Sequence, residues 1–137
     1  MKIVLDTNVL VSGIFWDGVP HEILDLWAHD AIRLVATDEM LKEYVRVIQG
    51  FATDEKSELT NHWTTFLIEN IELIISNSEL KLCRDPSDDK FINCAISSRA
   101  KYIVSGDKDL LDLKTVNNIE IVNSRAFIKI MNSEDDR

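Results

Sequence analysis

The stretch Lys2-Ile-Val-Leu-Asp-Thr-Asn8 constrains this chain more than any other. Ile3, Val4 and Leu5 form a run that is apolar on both sides, which suits a strand inside a parallel sheet covered by helices on both faces. Asp6 ends the run. An unpaired carboxylate in an apolar layer is costly, so one standing where a central strand stops points into a crevice and has a partner there. In open α/β sheets the crevice at the carboxyl ends of the strands is where ligands bind.

The rest of the chain reads as an alternation of strands and helices. Thr7 to Phe15 is a short helical segment, broken by Gly13, Asp17 and Gly18, and Pro20 suits the first position of the next helix. Ile23, Leu24, Leu26 and Trp27 recur at helical spacing before a second strand over Ile32 to Ala36. Thr37 is a helix N-cap, and Met40, Leu41, Tyr44, Val47 and Ile48 mark one face of a helix expected to stop at Gly50. Glu43 falls at the border of that apolar stripe and can look inward across the sheet edge. A further helix, capped near Thr53 or Asp54, is expected to bury Leu59, Trp63, Phe66 and Leu67, with a third strand over Ile71 to Ile75. Pro86 can open a helix whose buried side is Phe91, Ile92, Ala95 and Ile96. Tyr102 to Val104 is a fourth strand, Ile119 to Val122 a fifth at the sheet edge, and Ser124 to Met131 a closing helix. These elements predict an α/β protein with a single domain over residues 1–131, and an acidic tail frayed over residues 132–137.

With 137 residues the chain is the size of one ordinary domain, and its formal charge of −9 argues against coating nucleic acid through a broad basic field. That charge leaves room for a nuclease whose acidic site holds cations. Cys83 and Cys94 lie in no metal-ligand spacing and suggest no disulfide framework, which fits a reduced, cytoplasmic setting. No apolar run approaches the roughly 20 residues needed to cross a bilayer, so a soluble protein is expected. There is no glycine-rich loop of the kind that cradles a nucleotide pyrophosphate.

If the strands are parallel with right-handed crossovers, the ends of the first and fourth strands share one edge of the sheet. Asp6, Asp89, Asp107 and Asp109 then converge there, with Glu43 reaching over from its helix. Such a group cannot all ionise in one pocket without a positive charge among them. Oxygen ligands without His or Cys select hard cations, Mg2+ or Mn2+. Two such ions about 3.5 to 4 Å apart can clamp a phosphodiester for in-line attack by an activated water.

Leu5-Asp6-Thr7-Asn8, Glu43 after Thr37, Asp89-Lys-Phe-Ile-Asn-Cys-Ala95 and Ile103-Val-Ser-Gly-Asp-Lys-Asp-Leu110 occur in an order that resembles the PIN-domain family, in particular its branch of toxins from toxin-antitoxin systems. The resemblance spans roughly residues 1–125. It implies a three-layer α/β/α sandwich around a central parallel sheet of about five strands. It also implies a metal-dependent endoribonuclease that leaves a 5'-phosphate and a 3'-hydroxyl, usually as a homodimer and with an antitoxin protein as partner. By the same resemblance Asp6, Glu43, Asp89 and Asp107 are the catalytic, metal-binding acids and Asp109 matches a more variable extra ligand. Asn8 and Ser105 match small polar residues that steady the first and fourth acids.

Plainer roles compete for several of these residues. Asp6 is also a good N-cap, and surface glutamates such as Glu43 are usually solvated. Asp85 and Asp88 read as capping and solvated groups, Asp89 being preferred because it keeps the family spacing to Ser105 and Asp107. Arg84, Lys90, Arg99, Lys101 and Lys108 can meet RNA phosphates or simply face water. His21, His29 and His62 have no Ser or Cys partner that suggests a triad, and Trp16, Trp27 and Trp63 fit the core better than a stacking platform. Two other functions fit parts of the pattern. An Asp-nucleophile phosphatase would need a second Asp where Asn8 stands, and a catalytically silent module for RNA binding or antitoxin binding would have no need of all four acids.

Overall fold

A computed structural model describes residues 1–135 of the chain. β1 (Lys2–Leu5) leads into α1 (Thr7–Phe15) and α2 (Val19–Ala28); β2 (Arg33–Ala36) is followed by α3 (Asp38–Gly50), α4 (Ser57–Asn70) and β3 (Glu72–Leu73). The second half holds α5 (Asp89–Ser98), β4 (Tyr102–Val104), α6 (Lys108–Leu111), β5 (Thr115–Val116), β6 (Ile119–Val122) and α7 (Ser124–Asp135). Single 3-10 turns precede α4 (Asp54–Lys56) and α5 (Pro86–Asp88).

The six strands lie in the order β3-β2-β1-β4-β6-β5, all parallel except β5, which pairs antiparallel with β6. The helices flank this sheet as the outer layers of a three-layer α/β/α sandwich. β1 is therefore interior in both directions. Ile3, Val4 and Leu5 are fully buried, which is why all three are apolar where a half-solvated strand would alternate. α5 packs over β1, β2 and β4, while α1 packs on α2, α3 and α4. The fully buried Tyr44 hydroxyl donates to the Leu5 carbonyl, tying α3 to the end of β1. The adjacent Glu43 is thereby set beside Asp6 and Thr7.

Several boundaries differ from the pattern reading. The third strand is confined to Glu72–Leu73. Ile74 still donates to the Ala36 carbonyl at 2.9 Å, but Ile75 is 93% exposed, because the edge of the sheet offers it nothing to pack against. β5 was not expected, and it takes the edge position assigned to β6. α3 runs through Gly50, whose backbone is free of any special conformation, and closes at Phe51. In α4 the buried residues are Thr60, Trp63 and Leu67, whereas Leu59 is 38% exposed. Trp16, expected in the core, is 53% exposed. α7 continues to Asp135, so the stretch read as a frayed tail is helical that far; residues 136 and 137 lie outside the described part.

Candidate active site

Every described parallel strand ends at the same edge of the sheet, and the helix that follows each of β1, β2 and β4 starts there. Asp6 leaves β1 in an extended conformation and caps α1, its Oδ1 accepting from the Val9 amide at 2.8 Å. Its Oδ2 accepts from the Ser105 hydroxyl at the end of β4. Ser105 in turn accepts from the Asp107 amide at 2.9 Å. The capping and site readings of Asp6 thus describe two oxygens of one carboxylate. Burial pushes the Asp6 carboxyl above its usual range; hydrogen bonds from Ser105, Val9 and Gly106 oppose the shift and the Asp107 charge adds to it.

Asp6, Thr7, Asn8, Glu43, Val47, Ser87, Asp88, Lys90, Phe91 and Asp107 line a cleft of about 220 Å3. Four segments of the chain, far apart in sequence, bring their acids to it. Glu43 accepts from the Thr7 hydroxyl through Oε2, and its Oε1 lies 3.0 Å from the Lys90 ammonium, whose side chain is 11% exposed. Asp107 caps α6, accepting from the Asp109 amide at 2.9 Å. Asp88 and Asp107 face the same cleft. Desolvation, the nearby Asp107 side chain and the charge of Asp85 push the Asp88 carboxyl up to about 7, with Lys90 acting the other way.

The structure places the expected third acid, Asp89, differently from its neighbour Asp88. Asp89 does not line the cleft. Its Oδ1 accepts from the Leu82 amide at 3.0 Å and the Cys83 amide at 2.8 Å, so it holds down the connection that crosses α5. Burial works to raise the Asp89 carboxyl, but these two amides, the Cys83 side chain and Lys81 hold it below its usual range. Asp88, read from sequence as a solvated cap, stands in the cleft in its place. Asp88 closes the 3-10 turn Pro86–Asp88, and Asp89 opens α5 directly after it. Pro86 signalled a helix start, but the type of turn was not readable from it. Asp109 stands beside the cleft rather than in it, 3.4 Å from the Arg84 guanidinium. Lys90 was read as a phosphate contact or a solvated charge; it is the cation of the cleft.

Among the described residues, no three or more His, Cys, Asp or Glu side chains stand close enough to hold a metal ion as they are. The donor chemistry nevertheless fits a hard divalent cation: carboxylates of Asp6, Glu43, Asp88 and Asp107 with no nitrogen or sulfur ligand among the cleft's acids. Lys90 brings a positive charge to Glu43 in the same cleft.

Comparison with known proteins agrees with the fold. The chain is 33% identical over 134 residues to an uncharacterised protein of Methanocaldococcus jannaschii, covering 90% of this chain and 82% of that protein. Its fold is similar to a chain in the crystal structure of VapBC2 from Rickettsia felis bound to a DNA fragment from their promoter, with a TM-score of 0.56 and 18% identity over 90% of this chain and 98% of that chain. The family model of the PIN domain matches residues 2–109, a span that runs from the start of β1 to Asp109 and takes in every acid of the cleft. On that match the chain belongs to the PIN domain family, whose members are generally nucleases that use divalent metals.

Proposed function

We propose that this protein is a metal-dependent endoribonuclease, the toxin of a toxin-antitoxin pair, and that Asp6, Glu43, Asp88 and Asp107 hold the metal. The observation that carries this reading is the meeting of four carboxylates from separate segments of the chain, Asp6, Glu43, Asp88 and Asp107, in one cleft. Carboxylates packed this closely repel one another, and a site that keeps them together is built for a cation. A bound Mg2+ or Mn2+ would neutralise charge on the scissile phosphate and help ionise the attacking water.

The chain's own residues supply the frame for that chemistry. Ser105 and the Val9 amide fix Asp6 in one orientation, while Thr7 and Lys90 fix Glu43. Asn8 is exposed on the cleft wall and can donate to a backbone phosphate oxygen. Asp89 keeps the 82–83 connection against α5 and so sets where Asp88 lies. Toxin-antitoxin membership draws on the sequence resemblance and on the likeness to VapBC2; an antitoxin partner, a homodimer and a cytoplasmic site of action belong to the same proposal. Among the described residues, no helix is long and apolar enough to cross a membrane.

One observation favours a second reading, a catalytically silent PIN module that binds RNA or an antitoxin. Lys90 already neutralises Glu43, and the acids are not preset around an ion. Calorimetry with Mn2+ separates the two, since a silent module gives no stoichiometric heat that disappears in Asp88→Asn. The direct test of the first reading is incubation of the purified protein with a mixed RNA pool, with Mn2+ or with chelator, followed by mapping of the ends. Metal-dependent 5'-phosphate ends, lost in Asp6→Asn and Asp107→Asn, are expected; cleavage that persists in both variants would overturn the assignment.

A further inference from the structure

α1 and α3 run side by side in the same direction from the cleft. Thr7 meets Glu43 at one end, and at the other Phe15 stacks on Phe51 with ring centroids 5.4 Å apart and planes at 29°. The near and far pairs are eight residue steps apart on each helix, so at 1.5 Å per residue the far pair lies roughly 12 Å along the helices from the near one. Trp16 joins the far pair edge-on, 5.6 Å from Phe51. The Lys56 ammonium sits 5.5 Å from the Phe15 centroid and 5.6 Å from that of Trp16. Trp16 is 53% exposed and Phe51 39%. Between cleft and aromatics the two helices present exposed or half-buried Asn8, Ser12, Arg46, Val47 and Gly50.

The rings of this aromatic corner pack on one another, yet Trp16 and Phe51 stay partly open to water, an apolar patch of the kind that marks a binding surface. Its position identifies the ligand class. A chain of net charge −9 cannot gather a nucleic-acid strand through a general basic field. Strand affinity must then come from contacts that do not depend on net charge, and base stacking on an exposed aromatic is the sequence-tolerant form of such a contact. Lys56 puts a cation at the far end of the strip, and Arg46, 3.9 Å from Glu43 Oε1, puts another between it and the cleft. We infer that Trp16 and Phe51, steadied by Lys56, form a base-stacking subsite for single-stranded RNA about two to three nucleotide steps from the cleft, on the side where α1 and α3 end. The inference rests on the nuclease reading for the strand it invokes, but it concerns binding and not cleavage.

The test is binding in chelator, so that no strand is cut, of an eight-nucleotide single-stranded RNA and of an abasic strand of the same length and charge. Trp27 and Trp63 are buried, so quenching of tryptophan emission on addition of RNA reports Trp16. Trp16→Ala and Phe51→Ala are expected to weaken binding of the base-bearing strand by roughly five- to a hundredfold each and to leave the abasic strand unaffected. Trp16→Phe should keep most of the affinity, and circular dichroism melting checks that each variant is folded. Equal affinity of wild type and Trp16→Ala for the base-bearing strand overturns the inference. So does a change of oligomeric state in Trp16→Ala on size exclusion with light scattering, since the corner would then be a protein interface. Metal-dependent cleavage by the wild type with no dependence of binding on Trp16 removes the subsite and leaves the nuclease; Trp16-dependent binding without cleavage does the reverse.

Discussion

Neighbouring carboxylates at the start of α5 meet different surroundings, and substitution should separate them. Asp88 faces Asp107 in the cleft, whereas Asp89 accepts two backbone amides. Asp88→Asn keeps a side chain that can donate to Asp107, so the expected result is a folded protein with RNA cleavage reduced at least a hundredfold. Asp89→Ala strips partners from two amides and should cost about 2 to 4 kcal/mol, on the scale of hydrogen bonds to a charged group. Urea unfolding and limited proteolysis at the 76–85 connection check it. Wild-type stability in Asp89→Ala, together with lost cleavage, would return the third ligand to Asp89. The sequence could not separate the two, because spacing from Asp107 fixes which turn of the helix carries the acid but not how the turn before it is wound. Asp6 was legible for the opposite reason. An aspartate directly after three apolar residues of an interior strand has few places to go.

At the scale of elements, strands and helices whose burial is one-sided or complete were readable from periodicity, and edges were not. β1 and β4 are buried along their length, so their runs are unbroken. The Thr37 cap of α3 was equally plain, its hydroxyl accepting from the Met40 amide at 3.2 Å. β3 has a neighbour on one side only, and Ile74-Ile75 looks like strand although nothing pairs with it beyond Ala36. β5 carried a signal that went unused: Asn117 and Asn118, both at positive φ (49° and 68°), connect it to β6. Two asparagines between β-branched residues fit a type I' hairpin turn, which needs positive φ at both central positions. Asn118→Gly should therefore stabilise the protein by about 0.3 to 1 kcal/mol, read as a shift of the urea midpoint at unchanged slope. A loss of stability would show that the Asn118 side chain contributes more than its backbone strain costs.

For the molecule as a whole, the cleft is a local excess of negative charge inside a chain that is already acidic. Asp6 and Asp88 both have folded-state carboxyls raised above the model-compound value of 3.8, Asp88 to about 7. A carboxyl raised in the folded state contributes stability that is fully present below its unfolded pKa and is lost as pH rises through its folded one. In chelator, the difference in melting temperature between Asp88→Asn and wild type should therefore be small near pH 4 and grow in favour of the variant up to and past pH 7, levelling above it. Differential scanning calorimetry across that range checks it, and a pH-independent difference would show that the Asp88 carboxyl is not raised. Mn2+ should narrow the gap by stabilising wild type through binding to the folded form alone.

The Asp88–Asp107 contact has an evolutionary corollary. A lineage screened for heat tolerance or high expression, without any demand for its chemistry, should drift toward amides at positions 88 and 6, because neutralising either relieves the same repulsion. Inactive relatives would then be recognised by missing acids in otherwise sturdy folds, and thermostability campaigns on this scaffold should hold those two positions fixed from the first round.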